Sequence, residues 1–372
     1  LVDIRMLSGD ADLIELAGRY TDLPIVCTHA IWPHWFKFSL LDLLRRCPNL
    51  RGDTAFLAMP GLLERVVADM GPERLVFGTA GRAYGGASIA ALEKADISGP
   101  VREQIAHGNL ERLLGLTPAA GAPPTPAGAT GGLWRRFRSG EPLGVDVVDA
   151  HVHLGTGAGW VWDPAGRDLA GVVQGAVATM RRYGIRLSIA SSLEAIFADP
   201  LEGNRRLEET AAAFADCLRG YLVYNPLHAE ALQAALAEFF GRGFFVGFKI
   251  HGDWWELPIS DRRFAAAYRY AHEHRLPVLL HTWDSPNSSP RLLQAVVQDY
   301  PDAFFLLGHS GGGDAGRREA EELANNAPNV FLEWCGSFAA VPWEETLQRV
   351  NPQQVVFGTD TTGHDVAWEL GR

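Results

Sequence analysis

The sequence predicts an α/β protein: a (β/α)8 TIM-like barrel over residues 144–372, preceded by part of a second barrel. Three observations carry this prediction. Short apolar runs alternate with helical patterns through the longer part of the chain. Polar, metal-capable side chains fall where several of those runs end, the place where parallel barrels gather their chemistry. The first 115 residues repeat the later third of the rest.

Strand candidates in the longer part are 145–154, 185–191, 218–224, 244–251, 277–282, 303–309, 330–334 and 354–359. Most are short, apolar and rich in β-branched or aromatic residues, as expected of parallel strands covered on both faces. Helical patterns such as 229–240 and 261–274 lie between them. Eight strands with helical crossovers are the pattern of a closed parallel barrel. After the eighth run only about a dozen residues remain, too few for a full closing helix.

The shorter part matches the later third of the longer one by eye. LPIVCTHAIW sets His29 against His309 in DAFFLLGHSG, and RRCPNLRGDTAF corresponds to NNAPNVFLEWCG. PERLVFGTAGRAYG corresponds to PQQVVFGTDTTGHD, which sets Ala80 against Asp360. Self-similarity of this kind implies a tandem duplication. Residues 1–115 read as a degenerate half-barrel equivalent to strands 6–8. Residues 116–143 open with LTPAAGAPPTPAGATGG, a Pro/Ala/Gly-rich linker that cannot build a core.

Composition narrows the function. A hydrophobic content of 47% and a charged content of 21% are ordinary for a soluble globular protein. A net charge of -11 argues against a nucleic-acid partner. The basic cluster Trp134–Arg138 reads as a solvated helix end. Four cysteines without paired spacing suggest a reducing, cytoplasmic setting and no cysteine zinc knuckle. No uncharged apolar run is long enough to span a bilayer. The chain begins with Leu, so it reads as starting inside a longer open reading frame.

The chemistry-bearing residues are His151, His153, His281, His309 and Asp360. Residues two apart on a strand point the same way, so His151 and His153 in DAHVH share a face. One His-x-His is weak evidence, since His272 and His274 form the same triplet at the end of an amphipathic helix. The company lifts the first pair: His281 closes the fifth run, His309 the sixth and Asp360 the eighth. The run Gly311–Gly313 lacks the lysine and spacing of a phosphate loop and reads as a tight turn.

Taken together, VDAHVH, VGFKIH, PVLLHT, LLGHSGG and VVFGTD resemble the amidohydrolase superfamily, in particular its amidohydrolase-2 branch of metal-dependent hydrolases and decarboxylases. The resemblance implies that His151, His153, His281 and Asp360 bind one divalent metal, most simply Zn²⁺, whose donors suit imidazole and carboxylate. It implies that His309 stands beside the activated water as a base or electrostatic stabiliser, or binds a second metal as in some relatives, and Asp360 is placed to accept a proton and pass it to the leaving group. Lys249 and His251 on the fourth strand become candidates for substrate contact, with a bridging role in two-metal relatives or inner-barrel packing as the other readings of Lys249 and a structural role as that of His251. Trp160, Trp162, Trp254, Trp255 and Trp283 follow these strands and suggest a flat wall for an aromatic or cyclic substrate.

The leading expectation is hydrolysis of a C–N or C–O bond in a small carbonyl compound. Non-oxidative decarboxylation of an unsaturated or aromatic acid is the alternative, and a non-catalytic scaffold on a barrel frame is the third reading. Residues 1–115 lack the carboxylate, at Ala80, and any upstream His-x-His, so they read as non-catalytic. The sequence leaves homo-oligomer formation open.

Overall fold

Apolar runs become interior parallel strands because their backbones then find partners on both edges and their side chains find cover on both faces. In the computed structural model of the chain this produces two parallel sheets, one of four strands and one of eight. The structure describes residues 1–3, 9–29, 40–116, 132–156 and 166–372. Two compact units result, Leu1–Leu143 with Asp365–Arg372, and Gly144–His364.

The first unit carries β1 (Val2–Asp3), β2 (Ile25–Thr28), β3 (Leu50–Asp53) and β4 (Leu75–Val76), paired in that order. Leu13, Leu50, Val66, Leu75 and Ile105 are fully or almost fully buried around this sheet. Beside the three strands expected of residues 1–115, β1 adds a fourth. Its pairing of Asp3 with Thr28 matches that of His281 with Gly308 in the larger sheet. A strand of two residues at the head of the chain forms no apolar run, which is why the sequence hid it.

Two boundaries also differ from expectation. Within the 116–143 linker, Gly132–Ser139 is an α-helix with Phe137 buried, while 117–131 lie outside the described residues. The chain end does not close the barrel. Val366–Leu370 forms a short helix, capped by the Asp365 side chain accepting from the Trp368 amide at 3.1 Å, and it belongs to the first unit. There the Trp368 ring stacks near-parallel to Tyr84 at 6.4 Å.

The second unit carries β5 (Val147–Leu154), β6 (Ile185–Ser192), β7 (Leu218–Val223), β8 (Phe245–Ile250), β9 (Pro277–His281), β10 (Phe304–Gly308), β11 (Val330–Glu333) and β12 (Val355–Val356). All pairs are parallel and sequential. The ring closes beyond β12. The Ala150 amide donates to the Phe357 carbonyl at 2.9 Å, and the Asp360 amide to the His151 carbonyl at 2.7 Å. The eighth strand is therefore shorter by ladder pairing than the 354–359 run suggested, since it leaves β11 early to bond β5.

Helices cover the outside for reasons legible in their ends. In Leu169–Tyr183, the Asp168 side chain accepts from the Gly171 amide at 2.8 Å, and Gly184 ends the helix at φ 71°, a conformation that favours glycine. Its Val172, Val173, Ala176, Val177 and Met180 face inward. Inside the barrel, Ala150, Tyr221, Leu279 and Leu306 pack into an apolar floor with Ile189, Phe331 and Val356 against it. Two residues further along, the same inward face carries Ser191, His281 and Glu333. The strand period thus places polar groups directly above a packed apolar layer, at the carboxyl ends.

Candidate metal centre

His151 and His153 converge at the carboxyl end of β5, with Nε2 atoms 3.1 Å apart. Asp360 brings its Oδ1 to 3.5 Å from His151 Nε2 and 3.3 Å from His153 Nε2. All three residues are at least nine-tenths buried. These three ligand atoms lie within 4.8 Å of one another, the spacing a single cation requires of its donors.

The imidazoles are oriented from behind. His151 Nδ1 donates to Glu333 Oε2 at 3.0 Å, and His153 Nδ1 meets the Ser191 hydroxyl at 2.7 Å. The carboxylate partner keeps the Nδ1 proton on His151 and leaves Nε2 as a lone pair facing the centre. Burial, with Lys249 next, holds both histidines below their usual pKa, and His151 well below it, so they stand neutral as metal ligands must. Asp360 Oδ1 is buried without a hydrogen-bond partner. A buried carboxylate oxygen left unpaired is costly, and two lone pairs beside it repel each other. A divalent cation satisfies all three atoms together, so the residues fit the metal that the sequence implied.

The carboxylate arrives through a constrained turn. Asp149 accepts from the His151 and Thr359 amides at 3.2 and 3.0 Å and from the Thr359 hydroxyl at 2.6 Å. Burial pushes its carboxyl up to about 7. The pin ties β5 to the segment that presents Asp360, itself at φ 55°. Gly358 stands where a Cβ would lie 2.2 Å from Glu333 Oε1, so only glycine lets this segment pass.

His309 follows β10 at φ 64°, and its amide donates to Glu333 Oε2 at 3.0 Å. Its Nδ1 donates to the Cys335 carbonyl at 3.2 Å, which leaves Nε2 unprotonated. Burial holds it well below the usual histidine pKa, so it is a neutral proton acceptor. Its ring lies 5.0 Å from that of His151. A second convergence of ligand atoms, His151, His309, Glu333 and Cys335, shares His151 with the first.

The other residues singled out in the sequence divide. Lys249 is fully buried with Nζ 2.9 Å from His151 Nε2, and burial lowers it to about 8. The His281 ring lies 4.8 Å from that of His309 but stands outside both ligand groups. Its Nε2 faces Asp253 at 3.5 Å, and its ring stacks on His251 at 4.1 Å. The Trp283 indole lies parallel to His281 at 6.0 Å. Trp254 is 53% exposed and packs edge-on against Phe197, and its amide donates to His251 Nδ1 at 3.3 Å. Trp255 is core, its indole donating to the Ile196 carbonyl. Trp160 and Trp162 lie outside the described residues. His272, at a surface helix end, accepts the Asp302 amide, as its helical setting suggested.

Sequence reasoning missed Asp149, Ser191, Glu333 and Cys335. Glu333 left a signal: it is the one charged residue in the run NVFLEW, and Asp53 stands at the matching place in LRGDTA. Asp149 sits inside the VDAHVH motif itself.

No curated protein sequence matches the chain. Among solved structures, 5-carboxyvanillate decarboxylase from Sphingomonas paucimobilis aligns at TM-score 0.45 and 12% identity, over 60% of this chain and 91% of that one. Dihydroxybenzoic acid decarboxylase from Polaromonas sp., solved with bound manganese and 2-nitroresorcinol, aligns at 0.47 and 15%, over 60% and 90%. The 2,6-dihydroxybenzoate decarboxylase from Rhizobium aligns at 0.45 and 15%, over 60% and 91%. No helix among the described residues is long and apolar enough to cross a membrane. The Amidohydrolase family model matches residues 7–116 and 148–372. That match spans most of the chain, which therefore belongs to the amidohydrolase-2 family of metal-dependent hydrolases and decarboxylases.

Proposed function

We propose that the second unit is a mononuclear hydrolase acting on a C–N or C–O bond of a small carbonyl compound. The supporting observation is the meeting of His151 Nε2, His153 Nε2 and the unpartnered Asp360 Oδ1. These three residues hold the ion, with His281 as the further ligand of the set and Zn²⁺ as the ion that best suits two imidazoles and a carboxylate. When bound, a divalent cation supplies Lewis acidity, polarising a carbonyl and lowering the pKa of water.

The protein's own groups do the rest. His309 accepts a proton at Nε2, because its Nδ1 is committed to the Cys335 carbonyl. Asp360, ionised in the free site, takes up the attacking water's second proton and passes it to the leaving group. Lys249, fixed beside His151, and His251, stacked on His281, contact the substrate from the fourth strand. Measuring metal in the purified full chain tests this reading. About one divalent ion per chain is expected, and none after growth with zinc would sink it, leaving the scaffold reading.

One observation favours decarboxylation at the same centre. The Trp283 indole, parallel to His281, offers a flat wall for a planar aromatic acid. A product assay separates the two: a new carboxylate with an amine or alcohol, or carbon dioxide.

The first unit is the non-catalytic partner of this reading. Asp3, His29, Asp53 and Ala80 occupy the places of His281, His309, Glu333 and Asp360, an arrangement that a tandem duplication followed by loss of the site explains. A cytoplasmic setting fits the four free thiols.

A further inference from the structure

Glu333 is fully buried at the end of β11, and every partner it has is a donor. Its Oε1 receives the Cys335 amide at 2.8 Å. Its Oε2 receives the His309 amide at 3.0 Å, the His151 Nδ1–H at 3.0 Å and the Cys335 thiol at 3.2 Å. At each of these four contacts the carboxyl is placed as the acceptor. Two of these partners are turn backbone and one is a ligand imidazole.

The first unit separates those jobs. Asp53 stands 280 positions before Glu333, as His29 stands before His309. The Asp53 Oδ1 receives the His29 amide at 3.1 Å, and His29 has φ 60° against 64° at His309. Gly78, like Gly358, lies where a Cβ would strike the acid, at 2.8 Å from Asp53 Oδ2. An aspartate therefore suffices to hold the turn. The extra methylene of Glu333 carries the carboxylate inward to His151 Nδ1.

We infer that Glu333 is a positioning residue: through His151 it fixes the tautomer and aim of a metal ligand, a task separate from the turn it shares with Asp53. The inference rests on the metal reading proposed above. Outer partners of ligand histidines change metal affinity by about 10–100-fold when removed.

The test measures Zn²⁺ affinity of the full chain by competition with a chromophoric chelator, for the unmodified protein and for Glu333→Asp. The aspartate keeps the turn bond and is too short for His151. Dissociation constants about 10–100-fold higher are expected, with the melting temperature of the metal-free protein little changed. A downfield Nδ1–H proton resonance, present in the zinc-loaded parent, should disappear in the variant, which a purely structural role would not cause. Equal affinity and a retained resonance would overturn the inference. If Glu333→Asp does not fold, Glu333→Gln keeps the length and one acceptor, and the same comparison applies: weaker binding by about tenfold supports the role, unchanged binding defeats it. Absence of zinc binding by the parent would instead defeat the metal reading itself.

Discussion

In the turns after β2 and β10, His29 and His309 are held alike, yet among the described residues only His309 stands beside the candidate ligands His151 and Asp360. In both, a histidine at positive φ is held by a carboxylate on the next strand, at 3.1 Å in the first unit and 3.0 Å in the second. Ala80 and Asp360 share the left-handed backbone, at φ 51° and 55°. The braces match as well. Arg74 donates to the carbonyls of Leu44, Cys47 and Leu50, and Gln354, 280 positions on, donates to those of Ala324, Ala327 and Val330. Among the described residues, the scaffold thus stands in the first unit with Ala80 in place of the carboxylate. Residues at positive φ cost about 1–3 kcal/mol each, and their presence in the first unit shows that the frame over-determines them.

The sharpest way to break this comparison is to give the second unit the residue of the first. Asp360→Ala should lower turnover by about 10²–10⁴-fold, the range for a removed proton-transfer group, and weaken metal binding with it. The melting temperature should stay within a few degrees, because Ala80 already occupies this backbone in the first unit. The Asp360 amide keeps its bond to the His151 carbonyl at 2.7 Å. Turnover near the parent level would remove Asp360 from the chemistry. A collapse of the fold would show that the carboxylate, and not the frame, sets the turn.

A smaller effect separates the two carboxylates by pH. Burial raises Asp53 from 3.8 to about 7, with Asp3 adding to it and the His29 and Ala55 amides pulling back. A buried acid whose pKa is raised binds more protons folded than unfolded between those values. Stability of the first unit therefore falls as pH rises from about 4 to about 7, by a few kcal/mol at most. Asp53→Asn keeps an acceptor for the His29 amide and should flatten this slope. Hydrogen exchange of the β2 amides, corrected for intrinsic rate, reads it. Parallel slopes in parent and variant would mean that another group carries the dependence.

Much of this was open to reading in the chain, and the reason is physical. Parallel strands buried on both faces show as unbroken apolar runs, so β5 to β11 fall within a residue or two of 145–154 through 330–334. His151, His153 and Asp360 were visible because a buried polar residue at a strand end breaks an apolar pattern. β12 was not, because its backbone turns to β5 after two ladder residues, a choice that no side-chain pattern encodes. The aim of His281 was equally hidden, since Asp253, which meets its Nε2, comes from a loop after β8. Glu333 and Asp149 escape a sequence reading because two of the donors to each are backbone amides, which every sequence possesses.

The least expected difference concerns two asparagines that look identical. Asn49 Nδ2 donates to the carbonyls of Ala17, Tyr20 and Leu23, and Asn329 Nδ2 to those of Val297, Tyr300 and Ala303. Each clamps a helix end to the start of the following strand. Their surroundings differ. The bonds from Asn329 to Val297 and Ala303 are buried, whereas those from Asn49 to Tyr20 and Leu23 are open to water. A buried carbonyl that loses its donor pays its full desolvation, while an exposed one rebinds water. Asn329→Ala should therefore cost about 2–3 kcal/mol and Asn49→Ala less than about 1 kcal/mol, measured by urea unfolding followed through hydrogen exchange in each unit. Equal costs would show that burial of the brace does not set its worth, and that the two units differ in their ligands alone.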